Sequence, residues 1–257
     1  MKEFITDTIG SVTEKSKKAF RDKFAADIIS AFSAENYEAV RDFATKHLER
    51  LGVVPEFVQE NNPQFKNMRN KLNTEAGIII CNHPGWVETP AILSILHRDN
   101  LKIMQNKTYY DLLPPEVAIR YFFPAEHGPS LRSVLNKIKA HIEGGGILLI
   151  YPSGGNEKKK GTTFKSGLRG ILALLKPDQM VYCFNINNED AKEARPGVGL
   201  ASELFLHPSF NINKTGSPQR VRMNEAYTKA SEWQSSIEGV SKDDANQTLT
   251  KKYESMF

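Results

Sequence analysis

The stretch "CNHPGWVETP", residues 81 to 90, sets a histidine, His83, and an acid, Glu88, on either side of one short turn. An apolar run, "GIII", leads into it, and a stretch of helical texture leads out. A carboxylate folded back onto one ring nitrogen fixes the tautomer of an imidazole and leaves the second nitrogen to take a proton. The proton would come from a hydroxyl on an acceptor molecule, which becomes nucleophilic as it loses it. No serine or cysteine nucleophile on the protein is then required. Taken alone, such a pair is more often structural than catalytic, so the weight falls on what else the chain carries.

A second segment, "ILLIYPSGGNEKKKGTTFKSG", covers residues 147 to 167. An apolar strand runs out at Pro152, and Ser153, Gly154 and Gly155 open a loop whose backbone amides can face an anion. Lys158, Lys159, Lys160 and Lys165 follow, and lysines draw phosphate electrostatically. A plain solvated charged loop is the structural alternative. The segment is not a nucleotide P-loop, because five residues rather than four separate Gly155 from Gly161, and Thr162 stands where that motif has lysine. Both segments follow buried strands, so they can share one edge of a sheet.

The elements that would position them are legible in outline. "GIIIC", "GILLIY" and "VYCFNI" are short, apolar and bounded by turn residues, as expected of strands buried on both faces. Between them, "TPAILSILHR", "SLRSVLNKIKAHIEGGG" and "SGLRGILALLK" read as helices, the first with Thr89 as N-cap and Pro90 at the first helical position. Strands alternating with helices predict an α/β fold, a mixed or mainly parallel sheet flanked by helices. "ELFLH" and "QRVRM" add short strands near the end. "SKDDANQTLTKKYESMF" reads as a last helix started by Ser241 and Asp244.

Residues 1 to about 70 read as an N-terminal helical segment ahead of a main domain over 71–257. In "NYEAVRDFATKHLERLG" the apolar positions Tyr37, Val40, Phe43, Ala44, Leu48 and Leu51 fall three and four apart, and Gly52 supplies the stop. Phe20, Phe24, Ile28, Ile29 and Phe32 form a similar stripe, flanked by Lys15, Lys17, Lys18, Arg21 and Lys23. Packing against the main domain is the expected role of both stripes. A membrane-surface helix is the alternative for the earlier one.

Composition narrows the partners. Of 257 residues, 40% are apolar and 25% charged, ordinary for a globular chain long enough for one large domain. The balance of 34 basic against 30 acidic residues suits anionic small molecules or lipid head groups, and falls short of a nucleic-acid binder's surplus. The two cysteines, Cys81 and Cys183, lie in strand-like runs and read as buried free thiols, not as a disulfide or metal ligands. The first twenty residues lack the apolar core of a secretory signal, and no apolar run approaches the ~18 residues needed to cross a bilayer. Cytoplasmic, with membrane association at most peripheral, is the expectation.

The motifs in combination resemble those of the glycerolipid acyltransferases, the glycerol-3-phosphate and lysophosphatidic acid acyltransferase superfamily. "NHPGWVE" is similar to that family's N-H-x4-D signature, with glutamate in place of the commoner aspartate. "IYPSGG" followed by "FKSG" is similar to its F-P-E-G-T and F-K-x-G hallmarks, with Ser153 in place of the acid. "MVYCFNIN" takes the place of its later apolar block. The resemblance spans about residues 75–225. It implies O-acyl transfer from an acyl thioester, acyl-CoA or acyl carrier protein as co-substrate, to a phosphorylated or lipid acceptor, with no metal and no other cofactor. Carried over, His83 is the general base and Glu88 orients it, while Ser153, Gly154, Gly155 and Lys165 help hold the acceptor's phosphate. The family's intermediate block normally ends in a phosphate-binding arginine. Here "IRYFFPAEHGPSLRSV" offers Arg120 and Arg132, and Arg132 is preferred because its charge in the first turn of a helix opposes the dipole unless an anion is bound. A non-catalytic member of the same fold, binding phospholipid or an acyl chain, is the alternative.

Overall fold

The computed structural model of the protein describes Ser30 and residues 36–83, 87–111, 113–126, 129–154, 163–165, 167–187 and 219–257. The elements run α1 (Tyr37–Leu51), β1 (Val53–Phe57), α2 (Pro63–Thr74), β2 (Gly77–Cys81), α3 (Glu88–Ser94), β3 (Leu101–Asn106), α4 (Lys107–Tyr110), α5 (Pro115–Tyr121), β4 (Phe122–Ala125), α6 (Pro129–Glu143), β5 (Ile147–Ile150), α7 (Gly167–Leu172), β6 (Met180–Ile186), β7 (Gln219–Lys229), α8 (Ala230–Ser236) and α9 (Lys242–Glu254). The strands form a seven-stranded sheet in the order β1-β7-β6-β2-β5-β3-β4. Every pairing is parallel except β6 with β7. This is the mixed, mainly parallel α/β sheet the sequence predicts.

The central strands have no solvent face. Every residue of β2 and β5 is buried. Alternation along the strand divides the core in two: Ile79 and Cys81 pack with α1, α2 and α3, whereas Ile78 and Ile80 pack with α6, α7 and α9. Shutting each isoleucine side chain away from water contributes about 1.5–3 kcal/mol. Cys81 and Cys183 are buried and form no disulfide, and burial pushes the Cys183 thiol well above its ordinary range.

Helix α1 takes the expected form. The Asn36 side chain accepts from the Ala39 N–H at 2.8 Å, and Gly52, at φ 65°, ends the helix. The stripe of Tyr37, Val40, Ala44 and Leu48 is buried in the core shared with α3. The reading of residues up to about 70 as purely helical is corrected by β1, which pairs in parallel with β7 at the edge of the main sheet. Pro55 hid this strand. At an edge a proline is tolerated, because one side of the strand needs no donor. The opposite edge strand, β4, likewise holds Pro124. The stripe from Phe20 to Phe32, its flanking basic residues and "ELFLH" lie outside the described residues. Among the described residues, no helix is long and apolar enough to cross a membrane.

One buried charge ties the N-terminal elements to the sheet. Glu225 of β7 is held by Arg69 of α2 through two bonds of 3.0 Å, and the guanidinium lies 4.5 Å from the Phe57 ring centre. Burial lifts Glu225 above the usual carboxylate range and Arg69 pulls it back. Arg69→Ala strands this carboxylate without its partner, and the expected loss in chemical denaturation is about 3 kcal/mol near neutral pH. A glutamate with a raised folded pKa binds more protons folded than unfolded, so stability falls as pH rises from its unfolded value through its folded one. Removing Arg69 raises that folded value further. The variant's deficit should therefore shrink as pH is lowered from about 7 toward about 5, and a deficit that grew would contradict the assignment.

Candidate active site

The histidine turn and the glycine loop are neighbours because their strands are neighbours. β2 and β5 pair in parallel, Gly77 beside Ile147 through Ile80 beside Ile150, so both chains leave the sheet at its C-terminal edge and at the same height. That edge is where parallel sheets place their sites.

The exit from β2 is fastened on both sides of the backbone. Asn82 is buried, and its side-chain NH2 donates to the Ile186 carbonyl at 2.9 Å while its side-chain oxygen accepts from the Ile186 N–H at 2.8 Å. Its own backbone N–H donates to the Tyr253 hydroxyl at 3.0 Å, and that hydroxyl donates to the Phe184 carbonyl. The next residue, His83, is thereby launched from a fixed point.

Glu88, the first residue of α3, is fully buried. One carboxylate oxygen accepts from His83 Nδ1, and the other accepts from the Val87 N–H at 3.2 Å. The glutamate's place in the first helical turn also favours its charge. Its partner is part-exposed: the His83 side chain keeps 25% of its surface accessible against 1% for Glu88. The pair is an imidazole presented to solvent on a carboxylate that water does not reach.

Thr89 and Pro90 do not open the helix as expected. Val87 occupies the N-cap position with no side-chain capping bond. The Thr89 hydroxyl is engaged elsewhere, in a 2.6 Å hydrogen bond with the Tyr151 hydroxyl. Tyr151, the first residue past β5, stacks on the His83 ring with centroids 4.5 Å apart and planes at 26°. Burial first, then the neighbouring Cys81 and Glu88, raise its phenol well above the ordinary value, with the Thr89 bond pulling the other way. Tyr151 thus gives the imidazole a flat, neutral wall. Sequence reading passed over it as the last residue of an apolar strand.

Beyond Tyr151 the chain turns at once. Ser153 is buried, and Gly154 has φ 68°, a conformation that disfavours a side chain. The Gly154 N–H donates to the Tyr151 carbonyl at 2.9 Å, so this amide is turned into the loop rather than toward an anion. What the glycine supplies is room. A Cβ there would lie 2.8 Å from Lys165 Cδ and 2.9 Å from its Nζ, because the exposed Lys165 side chain runs across the glycine. The Lys165 N–H, donating to the Pro152 carbonyl at 2.8 Å, holds the two strands of the loop together.

His83, Glu88, Gly154 and Lys165 are therefore gathered around Tyr151. Arg132 stands apart. It is exposed in the first turn of α6, which begins beyond β4, and β4 is separated from β2 by β5 and β3. At strand spacing that is about 14 Å along the same edge. Arg120 lies in α5, before β4, with its guanidinium 5.4 Å from the Tyr121 ring. Gly155, Lys158, Lys159 and Lys160 fall outside the described residues. Among the described residues no group of His, Cys, Asp and Glu has the arrangement of a metal site.

No family model and no curated protein matches the chain. Among solved structures it is similar to the crystal structure of the 1-acyl-sn-glycerophosphate (LPA) acyltransferase PlsC from Thermotoga maritima. Identity is 15%, the TM-score is 0.49, and the alignment covers 96% of each chain.

The contact between Gly154 and Lys165 can be tested directly. Gly154→Ala forces a left-handed alanine, which costs about 1–2 kcal/mol, and drives Lys165 off the loop. Thermal unfolding should report a loss of that order, and a variant as stable as the parent would contradict the backbone geometry.

Proposed function

We propose that the protein is an O-acyltransferase that moves a fatty acyl group from an acyl thioester, on coenzyme A or acyl carrier protein, to the hydroxyl of a glycerol phosphate, lysophospholipid or related lipid acceptor. The observation that carries this reading is the part-exposed His83 imidazole held through Nδ1 by the buried Glu88 carboxylate, at the sheet edge shared with Lys165.

With Nδ1–H donated to Glu88, the base is Nε2. It takes the proton of the acceptor hydroxyl as that oxygen attacks the thioester carbonyl carbon. The tetrahedral intermediate then collapses, the C–S bond breaks, and the leaving sulfur takes the proton from the imidazolium. The new C–O bond replaces the C–S bond, and the histidine ends as it began. Glu88 stabilises the imidazolium that forms between the two proton transfers, and its burial limits how far water screens it. Tyr151 keeps the ring in plane and covers one of its faces. Lys165 is placed to attract a phosphate on the acceptor, and Arg132 is a second cation along the same edge. Gly155 and the lysine run belong to the same proposed subsite by sequence alone.

His83→Ala should abolish transfer from acyl-CoA to lysophosphatidic acid or glycerol 3-phosphate while circular dichroism stays unchanged. Glu88→Gln, which keeps the shape and removes the charge, should lower kcat by roughly 10²–10⁴ with a smaller effect on KM. Wild-type protein that transfers no acyl group from either donor type to any lysolipid or glycerol phosphate would overturn the reading in favour of a lipid-binding role.

A further inference from the structure

The last helix, α9, touches both halves of the site, and it does so with two side chains one turn apart. Thr250 and Tyr253 are both buried, and their spacing of three puts them on one helix face. The Tyr253 hydroxyl accepts from the Asn82 N–H, next to His83, and donates to the Phe184 carbonyl. The Thr250 hydroxyl donates to the Asn246 carbonyl of its own helix at 2.7 Å, which orients its oxygen to accept the Phe164 N–H at 2.9 Å. Phe164 precedes Lys165, and its ring packs 5.3 Å from that of Tyr253. The helix is itself anchored, with Ala245 and Leu249 fully buried and Ser241 accepting from the Asp244 N–H at 3.2 Å.

We propose that α9 is the positioning element that sets the two halves of the site against each other, Tyr253 fixing the histidine turn and Thr250 fixing the lysine loop. Its kinetic consequences rest on the acyltransferase reading; its geometric ones do not. The two hydroxyls act on different groups, so their loss divides between two parameters. Tyr253 governs where the base stands and therefore the chemical step. Thr250 governs where the phosphate-facing cation stands and therefore acceptor binding. A helix that only filled the core would show neither division.

The experiment compares Tyr253→Phe, Thr250→Val and Thr250→Ser in the full chain, with glycerol 3-phosphate and lysophosphatidic acid as acceptors and acyl-CoA as donor. Tyr253→Phe should lower kcat about tenfold and leave acceptor KM within about twofold, whereas Thr250→Val should raise acceptor KM about fivefold with kcat nearly kept. Thr250→Ser, which retains the hydroxyl, should restore KM. Two further readouts need no turnover. Diethyl pyrocarbonate modification of His83, followed by peptide mass spectrometry, should change rate in Tyr253→Phe and not in Thr250→Val. Calorimetric binding of inorganic phosphate should weaken in Thr250→Val and not in Tyr253→Phe. If Tyr253→Phe does not fold, removal of the exposed Phe257, whose ring lies 5.2 Å from that of Tyr253, should alter His83 modification in the same direction to a smaller extent. Wild-type values of kcat, KM, modification rate and phosphate binding in the variants, or kcat and KM changed alike by both, would overturn the proposal. A wild-type protein without acyl transfer would end the functional reading, while the modification and phosphate measurements would still decide the role of α9.

Discussion

A carboxylate shut away from water must be surrounded by donors, and Glu88 finds two of them in the His83 ring and the Val87 N–H. One oxygen binds the ring and the other binds the backbone at the start of α3. Satisfying the charge and orienting the imidazole thus draw on the same bonds. Relaxing either bond would cost a buried anion one of its donors. The short length of α3 and its lack of a side-chain cap are consequences: Glu88 draws the helix start toward His83, and Thr89 turns to Tyr151 instead of capping.

That arrangement needs a rigid sheet behind it, and the two ends of the sheet are secured by different means. At the N-terminal edge, the buried Arg98 donates to the carbonyls of Leu72, Glu75 and Gly145 at 2.6–2.7 Å, joining the end of α2 to the turn before β5. Burial lowers its pKa, but a guanidinium starts so far above neutrality that it stays charged and donating. Among the described residues, the core at the C-terminal edge holds no comparable cation. The fastening there is made by neutral groups, Asn82, Tyr253 and Thr250, acting on backbone.

The sequence was informative where a physical pattern was dense. The three central strands announce themselves because burial on both faces leaves only apolar residues, and α1 does so through its spacing and Gly52. The edge strands stayed hidden because edges tolerate what centres cannot: Pro55 in β1 and Pro124 in β4 read as interruptions. β3 was missed for a related reason, since only Leu101 and Ile103 of its six residues are fully buried. At the site, the pairing of His83 with Glu88 was legible from type and spacing. The partners Tyr151, Asn82, Thr250 and Tyr253 were not, because each sits at an ordinary position and matters only through contacts distant in the chain. The separation of 171 residues between Asn82 and Tyr253 is beyond any local pattern.

The contrast between the two halves of the site bears on what each can determine. Glu88 is locked by burial and holds the part-exposed His83 ring, so on the proposed reading the pair acts on the acceptor's hydroxyl with little dependence on the rest of that molecule. Lys165 is exposed, held by its backbone and by the space over Gly154, and its attraction for an anion is screened over about 8 Å at physiological ionic strength. A single screened lysine discriminates poorly among phosphate-bearing acceptors. On the acyltransferase reading, discrimination would need a further cation acting at a fixed distance, and Arg132, exposed at the start of α6 along the same edge, is the candidate. On the proposed reading, the reaction belongs to the centre of the sheet and the choice of acceptor to its breadth.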